Sequence, residues 1–141
     1  MNAPINTYSP HFQILAFPCD QFGLQEPGRN PEILNGIKYV RPGGGFEPQF
    51  PVFGKTHVNG QNEHPLFTFL KHSCPPTSDL MADPTQLFYA PIRVTDITWN
   101  FEKFLIGSDG KPRFRFHPSV DPDVMSPWIE ELIKDKFHFK F

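Results

Sequence analysis

Phe12-Gln13-Ile14-Leu15-Ala16-Phe17-Pro18-Cys19-Asp20-Gln21-Phe22-Gly23-Leu24-Gln25-Glu26-Pro27 is the stretch on which the reading of this chain turns. Its first six residues are short and largely apolar, and Pro18 closes them. That pattern predicts a strand buried on both faces of a parallel or mixed sheet, with the chain leaving the sheet at Pro18. Just beyond, Pro27-Gly28-Arg29-Asn30-Pro31 predicts a helix start, with Asn30 as N-cap and Pro31 in the first helical position. Ile33, Leu34, Ile37 and Val40 then recur at helical spacing, and the helix must end before Pro42.

Further along, Gly43-Gly44-Gly45 opens a loop that Pro48 and Pro51 keep extended. Pro65 starts a second helix whose apolar face is Leu66, Phe67, Phe69 and Leu70, and Pro75-Pro76 stops it. Prolines 75, 76, 84 and 91 make the next stretch an irregular excursion. Val94, Ile97, Trp99, Phe101, Phe104 and Ile106 predict a strand, Gly107-Ser108-Asp109-Gly110 a turn, and Arg113-Phe114-Arg115-Phe116 the return strand of a hairpin. A last helix is expected from Ser126 as N-cap to Lys136, with Pro127 first, Glu130 and Glu131 early and Lys134 and Lys136 late, an order that suits the helix dipole. Strand, helix, loop, helix, hairpin, helix is an α/β order without internal repeats.

Length and composition narrow the classes. The 141 residues make one domain, 1–141, and 38% apolar with 20% charged residues reads as globular. The 16 Phe and 17 Pro point to short elements with an aromatic core and rigid turns. A formal charge of -2 supplies no basic field for nucleic acid or an anionic membrane surface. No apolar run approaches the roughly 20 residues of a membrane helix. Cys19 and Cys74 belong to no CxxC pair, so no disulfide framework is expected. The six histidines lack helical metal-ligand pairing, so no metal is expected. Gly54-Lys55-Thr56 has Gln49 where a phosphate-binding loop needs its first glycine, which excludes a nucleotide site.

The residues that carry chemistry lie in two places, Phe17 to Pro27 and Trp99-Asn100-Phe101-Glu102-Lys103-Phe104. Amide and indole N–H groups stabilise an anion without adding a titrating group, which suits Gln25, Trp99 and Asn100. Alone, a Trp in a strand is more often core, its N–H satisfied by a carbonyl. Together and in this order the two motifs resemble the glutathione peroxidase family, over about Met1 to Ile133. The resemblance implies an α/β thioredoxin-like fold and reduction of hydroperoxides by glutathione. It also implies a selenocysteine or cysteine nucleophile ringed by a Gln, a Trp and an Asn, which match Gln25, Trp99 and Asn100. The family carries that nucleophile upstream of the first motif, just before a helix. This chain is expected to begin inside that helix, N-terminally incomplete, with a selenocysteine in the full-length product.

Other implications concern the reductant, the assembly and the compartment. Cys19 follows a buried strand with no His or Lys beside it, which favours a structural thiol over a nucleophile. The resolving cysteine of thioredoxin-using members would fall near Lys38, so its absence favours glutathione. Arg41 matches an arginine that holds glutathione carboxylates, although a solvated Arg at a helix end reads equally well. Tyr39 to Pro48 resembles the loop used at subunit contacts by tetrameric members, which implies a homotetramer through Arg41 to Pro48. Other glutathione-gripping arginines should follow the hairpin, where His117-Pro118-Ser119-Val120 stands instead; Arg115 remains nearby, as in plasma-type members, leaving a second thiol reductant open. Ser73-Cys74-Pro75-Pro76 resembles the same extracellular members, with Cys74 expected at the surface or half-buried, and this leans the compartment, extracellular or cytoplasmic, toward extracellular. The alternative reading is a non-catalytic thioredoxin-like subunit that assembles with complete ones.

Overall fold

Proline and glycine set the boundaries of the elements. The computed structural model describes residues 1–138, with side chains as far as Lys134. The order is α1 (Asn2–Tyr8), α2 (Asn30–Tyr39), α3 (Pro65–Ser73), a 3-10 turn at Pro84–Gln86, β1 (Lys103–Ile106), β2 (Pro112–Phe116), a second 3-10 turn at Pro122–Met125, and α4 (Ser126–His138). β1 and β2 pair antiparallel, Lys103 opposite Phe116 and Leu105 opposite Phe114, with an irregularity between Leu105 and Ile106.

Two apolar clusters flank the hairpin. The first gathers Cys19, Phe22, Val58, Phe67, Leu70, Leu87 and Ile97, with Phe17, Tyr89, Trp99 and Phe104 packed on it. The second holds Leu105, Phe116, Met125 and Ile129 under Tyr8, Phe12, Phe114 and Trp128. Successive residues of a strand point to opposite faces, so Phe104 joins one cluster and Leu105 the other.

Several expectations are corrected. Phe12 to Phe17 forms only a parallel bridge at Ala16–Val52, and Leu15 is 54% exposed, so the segment is neither a full strand nor buried on both faces. The strand expected from Val94 starts only at Lys103, and Trp99 and Asn100 lie in a turn. Arg29, not Asn30, is the N-cap of α2: its backbone N–H donates to Glu32 at 2.8 Å, while the Asn30 amide oxygen accepts from Lys55 N–H at 2.7 Å. Of the apolar face predicted for α3, Phe67 and Leu70 are buried but Phe69 is half exposed. Ser126 is already helical rather than a cap, since the turn at Pro122–Met125 runs directly into α4. Lys136, expected near the end of that helix, lies beyond the described side chains. Cys74 is 4% exposed, not a surface thiol.

Candidate functional site

Phe22 to Gln25 make a tight turn in which the Gln25 N–H donates to the Phe22 carbonyl at 3.4 Å. Both central residues take positive φ, +61° at Gly23 and +49° at Leu24. Such a conformation costs an ordinary residue about 1–2 kcal/mol, so Leu24 stores strain beside Gln25. The turn is anchored by the Gly23 N–H on Gln86 O at 2.8 Å and the Phe88 N–H on Gln21 O at 2.9 Å. Gly23 serves closeness as well: a Cβ there would sit 3.4 Å from the Trp99 ring and 3.5 Å from Cγ of Gln25.

Trp99 and Asn100 are presented by a second turn, between Thr98 and Glu102. The Glu102 carboxylate accepts from Thr98 N–H at 2.8 Å and from its hydroxyl at 2.9 Å. Phe101 in the same turn has φ +65° and is largely exposed. Glu102 is itself fully buried against Arg115, whose guanidinium also donates to Asp96 O at 2.8 Å and Thr95 O at 3.1 Å. Arg115 is therefore a buried clamp behind the turn and not a surface arginine for a thiol substrate.

The two turns meet. The Asn100 side-chain amide donates to the Phe22 carbonyl and to Gln25 Oε1, both at 3.2 Å, and the Trp99 ring lies 5.8 Å from that of Phe22. Residues 25, 99 and 100 are thus brought together around Gly23. Both protons of the Asn100 amide are engaged, one of them fixing Gln25 by its oxygen. The Gln25 Nε2 and Trp99 Nε1 groups donate no hydrogen bond among the described residues, and they remain as donors for an incoming anion.

Neither thiol fits as the reacting group beside them. Burial pushes the Cys19 thiol up, and its Sγ–H points at Gln21 Oε1, 3.4 Å away. Burial likewise raises Cys74, against a smaller downward pull from Arg115. A thiol held protonated is a poor nucleophile. Arg41 follows α2, exposed, and no hydrogen bond joins it to the other three among the described residues. A cavity of ≈250 Å³ is lined by Met1, Phe101 and Lys103, and Lys103 there donates to Pro118 O at 2.9 Å and Val120 O at 2.5 Å. The start of α1 therefore faces the residue that follows Asn100.

Among the described residues no cluster of three His, Cys, Asp or Glu side chains could hold a metal ion. No described helix is long and apolar enough to cross a membrane. Sequence reasoning missed Gln21, Asn59, Lys71 and Asp96, which are buried behind both turns. Gln21 lay inside the quoted motif; for the others, only polar residues breaking apolar runs could have pointed to them.

Comparison with known proteins gives a consistent result. A family model described as glutathione peroxidase matches residues 3–71. A glutathione peroxidase of Dirofilaria immitis is 54% identical over 134 residues, covering 92% of this chain and 61% of that protein. Glutathione peroxidase 3 of Bos taurus is 61% identical over 118 residues, covering 80% and 52%. The crystal structure of T. cruzi GPX1 superposes with a TM-score of 0.63 at 28% identity, over 94% of this chain and 67% of that one. The chain thus spans about half to three-fifths of the length of these curated relatives.

Proposed function

Because the chain belongs to the glutathione peroxidase family and has its thioredoxin-like fold, we propose that it is the donor-bearing part of an enzyme that reduces hydrogen peroxide and organic hydroperoxides with glutathione. The observation that carries this reading is the contact of Asn100 with Gln25 at 3.2 Å beside Trp99. It joins residues 75 apart in sequence into one set of neutral donors. In the reaction a chalcogen anion attacks one peroxide oxygen. The O–O bond breaks, and the other oxygen leaves as alcohol or water after taking a proton. One glutathione thiolate then displaces the hydroxyl, as water, from the oxidised chalcogen. A second releases the anion and departs as part of a glutathione disulfide. Gln25 Nε2–H and Trp99 Nε1–H would stabilise the anion, with Asn100 orienting Gln25.

Since neither Cys19 nor Cys74 suits the nucleophile's task, we assign that task to a selenocysteine in the part of the relatives' length that this chain does not span. We further assign Arg41 to a glutathione carboxylate, the segment Arg41 to Pro48 to contacts of a homotetramer, and the protein to an extracellular setting. Arg41 is exposed next to three glycines at positive φ, which leaves its fork free to meet an anion.

Selenium content and intact mass of the native protein, with glutathione-dependent turnover of hydrogen peroxide, test the reading. Selenium and turnover are expected in the native product, while the purified 141-residue chain should stay far below the roughly 1 per second of a working enzyme. Turnover at that rate by the 141-residue chain would mean that Cys19 or Cys74 is the nucleophile, and Ser substitutions would identify which.

A further inference from the structure

Behind the two turns, one buried residue is bonded to the residue that leads into each. Asn59 is 1% exposed. Its backbone holds the side chain of Gln21: the Asn59 N–H donates to Gln21 Oε1 at 3.1 Å, and Gln21 Nε2 donates to Asn59 O at 2.9 Å. Its side chain holds the backbone of Ile97: the Ile97 N–H donates to Asn59 Oδ1 at 3.0 Å, and Asn59 Nδ2 donates to Ile97 O at 2.9 Å. Gln21 immediately precedes the turn that carries Gln25. Ile97 stands two residues before Trp99. A chain of hydrogen bonds therefore runs from one donor turn, through a single asparagine, to the other.

The asparagine is fixed in turn by Lys71, which is 3% exposed although charged. The three protons of its ammonium have three acceptors, Asn59 Oδ1 at 3.1 Å, Asp96 Oδ1 at 2.9 Å and Glu63 Oε2. The other oxygen of Asp96 accepts from Arg93 N–H at 2.7 Å. A cation beside Oδ1 sets the amide one way round, since the flipped orientation would bring Nδ2 against the ammonium and against the Ile97 N–H. A buried polar network of this kind, engaged at both Oδ1 and Nδ2 of Asn59, selects one arrangement over near alternatives.

We propose that Asn59, oriented by Lys71, is a positioning residue that sets the spacing of Gln25 against Trp99 and Asn100. This rests on the peroxidase reading only for why the spacing matters. The test reads geometry and not turnover, so that the two can fail separately. In a 15N-edited NOESY spectrum of the 141-residue chain, the Asn100 side-chain amide should show a cross-peak to the Gln25 methylenes. Asn59→Ala, recorded where circular dichroism shows it folded, should lose that cross-peak. Ile129→Val, which thins the second apolar cluster and touches neither turn, should keep it while lowering Tm. Should Asn59→Ala not fold, Asn59→Ser is the variant to read: it leaves a hydroxyl for the ammonium but no amide for Ile97, and the same loss is expected. A cross-peak that persists in a folded Asn59 variant, or that is absent from the wild-type chain, overturns the proposal. An inactive selenium-bearing native protein with these spectra intact would instead overturn the peroxidase reading.

Discussion

Replacing Lys71 by Met should be among the most damaging single changes outside the apolar core. The methionine fills nearly the same volume, so little packing is lost and the effect isolates the charge. Asp96 is 0% exposed, and in the variant it keeps only the Arg93 N–H on one oxygen, while Asn59 Oδ1 keeps only Ile97. Stranding one member of a buried ion pair costs about 3–5 kcal/mol, against about 0–1 kcal/mol for an exposed pair. At this chain length each kcal/mol moves Tm by roughly 3–4 °C, so a fall of roughly 9–20 °C is expected. Adding Asp96→Asn should recover part of the loss, because it removes the stranded charge. Urea unfolding followed by circular dichroism on both single variants and the double gives the coupling. A cost below about 1 kcal/mol for Lys71→Met would refute the reasoning, since it would mean that the ammonium is hydrated like a surface group.

Four further outcomes follow from the same geometry. Gly23→Ala should lose about 1–2 kcal/mol through its positive φ, its new Cβ being tightest against Gln86 Oε1 at 3.3 Å and in ordinary contact with the Trp99 ring, seen as a lower Tm. Leu24→Asn should gain up to about 1 kcal/mol, because asparagine tolerates the left-handed region and the leucine is half exposed; an unchanged or lower Tm would show that the leucine's contacts matter more than its strain. On the acid side, burial alone would raise the Glu63 carboxyl, but hydrogen bonds from Lys71 and Thr68 outweigh it and hold it below the usual range. Its contribution is whole above the unfolded value of about 4.3 and lost as pH falls through the lower folded value, so Glu63→Gln should flatten the acid limb of a stability profile. On the alkaline side, both thiols are pushed up by burial. Their contribution is whole below about 8.5 and drains away as pH climbs through the folded values, a limb that a Cys19→Ser, Cys74→Ser double variant should lack.

What could be read from the sequence divides along a physical line. Signals written in adjacent residues came through: prolines at helix starts, the turn at 107–110, and Arg113 to Phe116 as the return strand all stand in the structure. Signals that depend on what lies across a gap did not. Phe12 to Phe17 has the composition of a buried strand, but composition cannot say whether both edges find partners, and here one bridge at Ala16 is all that forms. Val94 to Phe101 is β-prone, yet Glu102 draws Thr98 into a turn, and that choice is dictated by Arg115 from another strand.

The candidate site shows the same division in sharper form. Gln25, Trp99 and Asn100 could be nominated because their two motifs occur together and in order, as in the family they resemble, and because amide and indole N–H groups suit an anion. Their division of labour could not be, since it depends on which acceptors happen to be near: Phe22 O and Gln25 Oε1 take both protons of the Asn100 amide, while Gln25 Nε2 and Trp99 Nε1 donate to nothing among the described residues. Asn59 is the extreme case. Its side chain is the same amide as that of Asn100 but is buried and engaged on Ile97 and Lys71, and its neighbours in sequence say nothing of Gln21 or Ile97. Yet it gives four hydrogen-bonding groups, two of the backbone and two of the side chain, to the two turns that must stay in register. Strain at Leu24 and at Phe101, each next to a member of the trio, makes such a brace necessary. Two turns each wound about 1–2 kcal/mol out of their preferred backbone conformation would relax apart unless something buried between them held the distance.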